Sequence, residues 1–145
     1  MGIHEFIRSP AITCSPDTSI SEAARLMDEN NVGSVIVIDS AGKLSGILTD
    51  RDIALRAMAA ERVSGTPIAE IMTKDVVWIQ EDASVFDASR QIAASGRRRL
   101  PVVDANGIVK GVISLDDLML VFVRQIDSLS SAIASETAAS QPEER

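Results

Sequence analysis

Gly46-Ile47-Leu48-Thr49-Asp50-Arg51-Asp52 decides the fold. It reads as the end of a buried strand, a hydroxyl at the strand tip and a carboxylate three residues on. The chain writes the segment again as Gly111-Val112-Ile113-Ser114-Leu115-Asp116-Asp117, at an offset of 65 in 145 residues. At that same offset Asp17 falls on Asp82, Ser19 on Ser84, Ala23 on Ala88 and Arg25 on Arg90. Val37 falls on Val102, Asp39 on Asp104 and Gly42 on Gly107. The matches sit on caps, turns and strand ends together, and no gap is needed from residue 15 to 53. That pattern marks an internal duplication.

Each copy predicts the same elements. In the first, Ile12-Thr13-Cys14 is a short strand stopped by Ser15-Pro16. Ser19-Ile20-Ser21-Glu22 is a capping box, and Ile20, Ala23, Ala24 and Met27 continue at helical spacing to Asn30-Asn31. Ser34 to Asp39 is a β-branched run, the signature of a strand buried on both faces. A turn at Ser40 to Lys43 returns the chain along Leu44 to Thr49, and a helix follows from Asp50 to Ala60. Glu61 to Pro67 is a linker, and Ile68 to Met72 a short turn. The second copy then predicts a strand at Val76 to Ile79 and a helix from Ser84 to Ser95-Gly96. A hairpin follows over Leu100 to Asp104 and Ile108 to Ser114, then a helix from Leu115 to Ile133. Residues 1–11 show no period. The predicted division is repeat one at 8–62, repeat two at 68–126, and a helix end with a disordered tail at 127–145. A unit of ~50 residues is marginal alone, so the halves are expected to pack about a pseudo-twofold axis. The fold class is α+β, and the cleft between two equivalent sheets is a natural ligand site.

Composition narrows the partners. The formal charge is −7 and there is no Tyr, three Phe and one Trp, which disfavours nucleic-acid binding. The one basic cluster, Arg97-Arg98-Arg99, suits a small anion. A single cysteine, Cys14, excludes an internal disulfide and fits a reducing compartment. The longest strongly apolar run, Leu118 to Val123, is short of the ~20 residues a bilayer needs. A soluble, cytoplasmic protein with no membrane contact is expected. His4 is the only histidine, which excludes a histidine-rich metal site, and no base–nucleophile pair is visible. Cys14 reads as a structural thiol, and Asp50, Asp52, Asp116 and Asp117 as groups that touch a metal only alongside a bound nucleotide.

The repeated segment has two readings that share one geometry. Thr49-x-x-Asp52 and Ser114-x-x-Asp117 are capping boxes, and this pattern opens very many helices. The same helix start presents amides to a phosphate, the carboxylate can accept both hydroxyls of a ribose, and the preceding glycine allows close backbone approach. Duplication of the whole segment, glycine included, favours a functional role beside the capping.

With both segments in view, the chain resembles the paired CBS domains, or Bateman module. The family pattern Gly-hydrophobic-hydrophobic-[Thr/Ser]-x-x-Asp is matched in full by both copies. A second pattern is matched by Arg98-Arg99-Leu100-Pro101-Val102-Val103-Asp104, and the joining Ile71-Met72-Thr73 is also similar. The resemblance covers about residues 8–125. It implies a β-α-β-β-α unit in each half and an adenosine ligand in the cleft: AMP, ADP, ATP or S-adenosylmethionine. It implies ribose or phosphate contacts for Thr49 and Ser114 and ribose contacts for Asp52 and Asp117. It implies an adenine frame from the backbone near Thr13, Ser34 and Val35 in the first site and near Val77, Leu100 and Pro101 in the second. Arg99, with Arg98, is assigned to phosphate. The first copy has Ser34-Val35-Ile36 where the second has Arg99-Leu100-Pro101, so Arg51 is the first site's substitute cation. The site around Ser114 and Asp117 is therefore the one expected to be filled if only one is. Strand alternation sends Arg97 and Arg99 to one side and Arg98 to the other.

The last helix carries Leu115, Leu118, Phe122, Ile126, Leu129 and Ile133 on one stripe, with Met119, Leu120, Val121 and Val123 around it. A helix apolar over most of its surface needs two partners. A homodimer is expected. The reading is a regulatory module without catalysis that signals to an effector protein. The competing readings are an interaction or dimerisation module with empty sites, and an enzyme acting on a nucleotide.

Overall fold

In the computed structural model, which describes residues 1–140, the β-branched runs become the middle strands of two three-stranded sheets. In the first sheet β2 (Ser34–Ile38) lies parallel to β1 (Thr13–Cys14) and antiparallel to β3 (Leu44–Thr49). In the second, β5 (Arg99–Val103) lies parallel to β4 (Ile79–Gln80) and antiparallel to β6 (Val109–Ser114). The crossovers into the middle strands are α1 (Ile20–Asn30) and α3 (Val85–Ser95). Gly42 and Gly107 turn the hairpins at φ +79° and +81°, where a side chain is disfavoured. Asp39 and Asp104 hold those turns by accepting two backbone amides each, at 2.9–3.0 Å. The chain thus adopts the α+β architecture of two β-α-β-β-α units.

The segment ahead of each repeat crosses to the other half. The isolated β-bridges show it: Gly2 pairs with Ser84 and Ser19 with Pro67, while Arg8 pairs with Val112 and Ile47 with Thr73. Adding or subtracting 65 converts each bridge into its mate. The fifth bridge, Lys43 with Ile108, is its own mate and marks where the two hairpin turns meet across the pseudo-twofold axis. The duplication therefore extends to the first residues. Ile3–Glu5 and Ile68–Glu70 are matching 3-10 turns, 65 residues apart. Ile3 is fully buried in the core of the second half, with Ile79, Val85, Leu100 and Ile113. Ile68 and Ile71 are buried in the core of the first, with Ile20, Val35 and Leu48. Each buried isoleucine of this kind contributes about 1.5–3 kcal/mol, so the exchange ties the halves together.

This crossing gives the repeated glycine its reason. A Cβ on Gly46 would stand 2.8 Å from Met72 Sδ and 2.9 Å from the Thr73 carbonyl oxygen. A Cβ on Gly111 would overlap Ile7 Cγ2 and stand 2.5 Å from the Arg8 carbonyl oxygen. The close approach expected at these glycines is made by the chain's own crossing segments.

Four expectations shift. The strand foreseen at Val76 to Ile79 is Ile79–Gln80, because Val76 and Val77 leave the sheet to line a cleft. The helix foreseen over Asp50 to Ala60 is one α turn, α2 (Asp50–Asp52), that widens into a π-helix at Ile53–Met58, with Ala59 N–H donating to Ala54 O. Residues 1–11, read as a lead-in without period, hold the Ile3–Glu5 turn. The final helix, α4 (Leu115–Ala139), runs beyond Ile133. The tail expected at its end lies, over 141–145, outside the described residues. At 25 residues α4 is long and apolar enough to cross a membrane by length and composition. Its Leu118 and Val121, however, are buried in the second core, which holds its first turns in the domain.

Candidate functional site

Both repeated segments are capping boxes with nearly the same geometry. Thr49 N donates to Asp52 Oδ2 at 3.0 Å, and Asp52 N donates to Thr49 Oγ1 at 3.1 Å. Ser114 N donates to Asp117 Oδ2 at 3.1 Å, and Asp117 N donates to Ser114 Oγ at 3.1 Å. The carboxylates are equally sheltered, with side-chain exposures of 15% and 13%. In each, one oxygen is spent on the cap and the other is turned outward. The difference lies in what meets that outer oxygen. Arg8 clamps Asp117 Oδ1 through Nε at 3.2 Å and Nη2 at 3.1 Å. Among the described residues Asp52 Oδ1 has only Arg56 Nε, at 3.7 Å, and Arg56 Nη1 is committed to the Ile71 carbonyl at 3.0 Å.

Each segment lines a cleft completed by the other half. The larger, of ≈ 500 Å³, gathers Thr49, Arg51, Asp52 and Arg56 with Asp75, Val76, Val77 and Arg97 to Arg99. The smaller, of ≈ 360 Å³, gathers Ser114, Asp116 and Asp117 with Arg8, Ile12, Gly33, Ser34 and Arg99. The lining groups the residues differently from the expected pairing. Val77 faces the Thr49 cleft, and Ser34 faces the Ser114 cleft, because the crossing segments bring opposite halves together. Val35, Leu100 and Pro101 are buried and line neither cleft, and Thr13 lines neither while its neighbour Ile12 lines the second. The arginine run serves both segments, since Arg99 lines the Ser114 cleft as well as the Thr49 cleft. All three of its members line the Thr49 cleft, because β5 starts only at Arg99 and strand alternation does not govern Arg97 and Arg98.

The Thr49 cleft holds five arginines against three aspartates; the Ser114 cleft holds two of each. Arg98 pairs with Asp116 at 3.3 Å. Arg51, Arg97 and Arg99 have no ion-pair partner among the described residues. Sequence reasoning missed Arg8, whose contact crosses 109 residues, and Arg56. The latter was legible, since i+4 spacing from Asp52 puts it one helical turn away.

The remaining candidates stay quiet. Burial pushes the Cys14 thiol up, partly opposed by its hydrogen bond with Thr18, so the thiolate is disfavoured. His4 is exposed, 3.9 Å from Glu5. Among the described residues no cluster of His, Cys, Asp or Glu is placed to hold a metal.

Two crossed α+β repeats that share a pair of clefts, each opened by a capped carboxylate at a strand tip, define a tandem two-cleft module. The CBS domain matches residues 3–59 and 68–124, and the chain belongs to the CBS-domain family as a tandem pair. It is 42% identical over 116 residues to the CBS domain-containing protein YhcV of Bacillus subtilis, covering 80% of this chain and 81% of that protein. The CBS domain pair of protein MJ0100, solved with 5-methylthioadenosine and S-adenosyl-L-methionine, is 30% identical. That likeness covers 86% of this chain and 98% of that one, with TM-score 0.79. CBSX2, solved with AMP, shares the fold at 24% identity and TM-score 0.72, over 85% of this chain and 96% of that one.

Proposed function

We propose that this protein is a soluble, cytoplasmic regulatory module that binds a phosphorylated adenosine ligand in the Thr49 cleft and signals to an effector protein without catalysis. The observation that carries the reading is that Arg51, Arg97 and Arg99, unpaired among the described residues, line one cleft together with Asp52. Asp52 Oδ1 accepts ribose hydroxyls. Val76 and Val77 offer an apolar wall for the adenine. The arginines take the phosphate, with bidentate geometry available to each guanidinium. The two adenosine compounds bound to the MJ0100 pair support an adenosine ligand; the arginines favour AMP, ADP or ATP over S-adenosylmethionine. The cleft holds carboxylates and guanidiniums but no nucleophile with a base beside it, so binding without turnover fits it.

A second reading has an observation of its own. Met119, Leu120, Val123, Ile126, Leu129 and Ile133 of α4 are all more than half exposed. This stripe suits a second copy of the chain, as in a homodimer, and would serve a dimerisation module even with empty clefts. Light scattering after gel filtration reads that mass directly.

Thermal unfolding with AMP, ADP, ATP and S-adenosylmethionine separates the readings. A ligand at a hundredfold over its Kd adds ~2.7 kcal/mol, a rise of about 5–10 °C at this size. A shift with none of the four defeats ligand binding and leaves the dimerisation reading. A shift with S-adenosylmethionine alone defeats the phosphate assignment.

A further inference from the structure

Among the described residues Arg99 is the one arginine that lines both clefts. It opens β5 opposite Ser114 in the sheet register, so its backbone belongs to the second cleft. Its guanidinium reaches the other half. A Cβ on Gly33 would stand 2.9 Å from Arg99 Nη2 and 3.2 Å from Asp50 Oδ2. Arg99 Nη2 and Asp50 Oδ2, the latter from a residue of the first cleft, therefore both pack over Gly33 where a side chain would stand.

The duplication does not repeat this arrangement. The mates of Arg98 and Arg99 at the offset of 65 are Gly33 and Ser34. The local frame is otherwise the same in the two halves: Asp50 N donates to Gly33 O at 3.0 Å, and Leu115 N to Arg98 O at 2.7 Å. At this place the second half supplies two cations and the first supplies none. One guanidinium fills a position that the symmetry would assign to two.

We infer that Arg99 is a shared phosphate ligand that makes anion binding in the two clefts mutually antagonistic. The inference rests on the adenosine-ligand reading above. A phosphate in the Thr49 cleft draws the guanidinium toward Asp50, Arg97 and Arg98. The Ser114 cleft then keeps only Arg8, already bound to Asp117, to face a second phosphate. Since coupling is reciprocal, a phosphate in the Ser114 cleft weakens the Thr49 cleft equally. An uncharged nucleoside makes no claim on Arg99 and carries no such coupling.

Calorimetric titration of the full chain with AMP and with adenosine tests this. Asp52→Ala removes the ribose acceptor of the Thr49 cleft and so reports the Ser114 cleft with its neighbour empty. AMP is expected to bind Asp52→Ala tighter than it binds the second site of the unmutated protein, by about 5- to 150-fold. Adenosine is expected to show no such difference. Adding Arg99→Gln should abolish the AMP difference, and Arg99→Lys, which keeps a cation, should retain part of it. Equal AMP affinities in Asp52→Ala and in the second step of the unmutated protein overturn the inference. So does a difference that survives Arg99→Gln or appears with adenosine. Binding of neither compound overturns the ligand reading as well, whereas binding without coupling overturns this inference alone.

Discussion

The two clefts start from the same seven-residue segment and end unequal. Their capping boxes agree to about a tenth of an ångström, and their carboxylates are sheltered alike. Yet Asp117 is clamped by Arg8 at 3.1 Å, while Asp52 faces an arginine at 3.7 Å that is bonded elsewhere. The five-arginine wall stands at one cleft, and the charge-balanced wall at the other. The cap is a local property, carried by four consecutive residues and copied with them. The cleft is not local, because the crossing segments complete each cap with residues of the other copy. Duplication therefore preserved the caps while the walls diverged.

The largest effect expected from breaking this symmetry is at the glycines. Gly111→Ala forces a Cβ into Ile7 and into the Arg8 carbonyl, whereas Gly46→Ala meets the flexible end of Met72 together with the Thr73 carbonyl. Overpacking costs about 1–3 kcal/mol, occasionally more. Gly111→Ala is expected at or above the top of that range, with Gly46→Ala below it, both read as midpoint shifts in denaturant. Equal losses would show that the two crossings are equally tight, against the geometry.

Next in size is ligand affinity. Asp52→Ala is expected to weaken the tighter AMP step by roughly 10- to 150-fold, the range for losing hydrogen bonds to a charged group. Asp117→Ala should leave that step in place, since Asp117 serves the other cleft and Arg8 already holds it. The reverse ranking in a binding titration would move the principal site back to Ser114 and Asp117. Each variant also loses a capping acid, so the affinities are compared below the melting transition of both.

What the sequence made legible follows this divide between local and distant. The caps at Ser19, Thr49, Ser84 and Ser114, the turns at Gly42 and Gly107 and the buried middle strands were all readable, because each is set by neighbours in the chain. The candidate site residues Thr49, Asp52, Ser114 and Asp117 came with the caps. The division of residues between the clefts did not. Pairing Val77 with Thr49 and Ser34 with Ser114 depends on Ile7-Arg8 and Met72-Thr73 crossing the axis. That crossing has one signal in the sequence, and it lies ahead of the stretch from residue 15 where the repeat is plain. Ile3, Glu5 and the apolar Phe6 fall on Ile68, Glu70 and Ile71 at the same offset. Arg8 has none, since its mate is Thr73 and no short-range pattern predicts a contact with Asp117.

The smallest expected difference lies in the hairpin turns, where the halves look most alike. Asp39 and Asp104 accept the same pair of backbone amides, but Asp104 also meets Lys110 at 3.4 Å, where the first half has Ser45. The Ile108 amide holds the Asp104 carboxyl below its ordinary value of 3.8, against a smaller opposing push from desolvation, with help from the Asn106 amide and Lys110. A carboxyl depressed in the folded state stabilises it above the unfolded value and loses that contribution as pH falls through the folded one. Asp104→Asn should therefore destabilise at pH 7, and its gap from the unmutated protein should close as pH falls below about 3.8. At pH 7 it should cost more than Asp39→Asn. Salt should narrow the difference between the two, because the lysine contact is solvent-exposed and screened. A gap between Asp104→Asn and the unmutated protein that stayed constant down to pH 2 would assign the turn's stability to shape alone. The two hairpins would then be equivalent where the structure makes them differ.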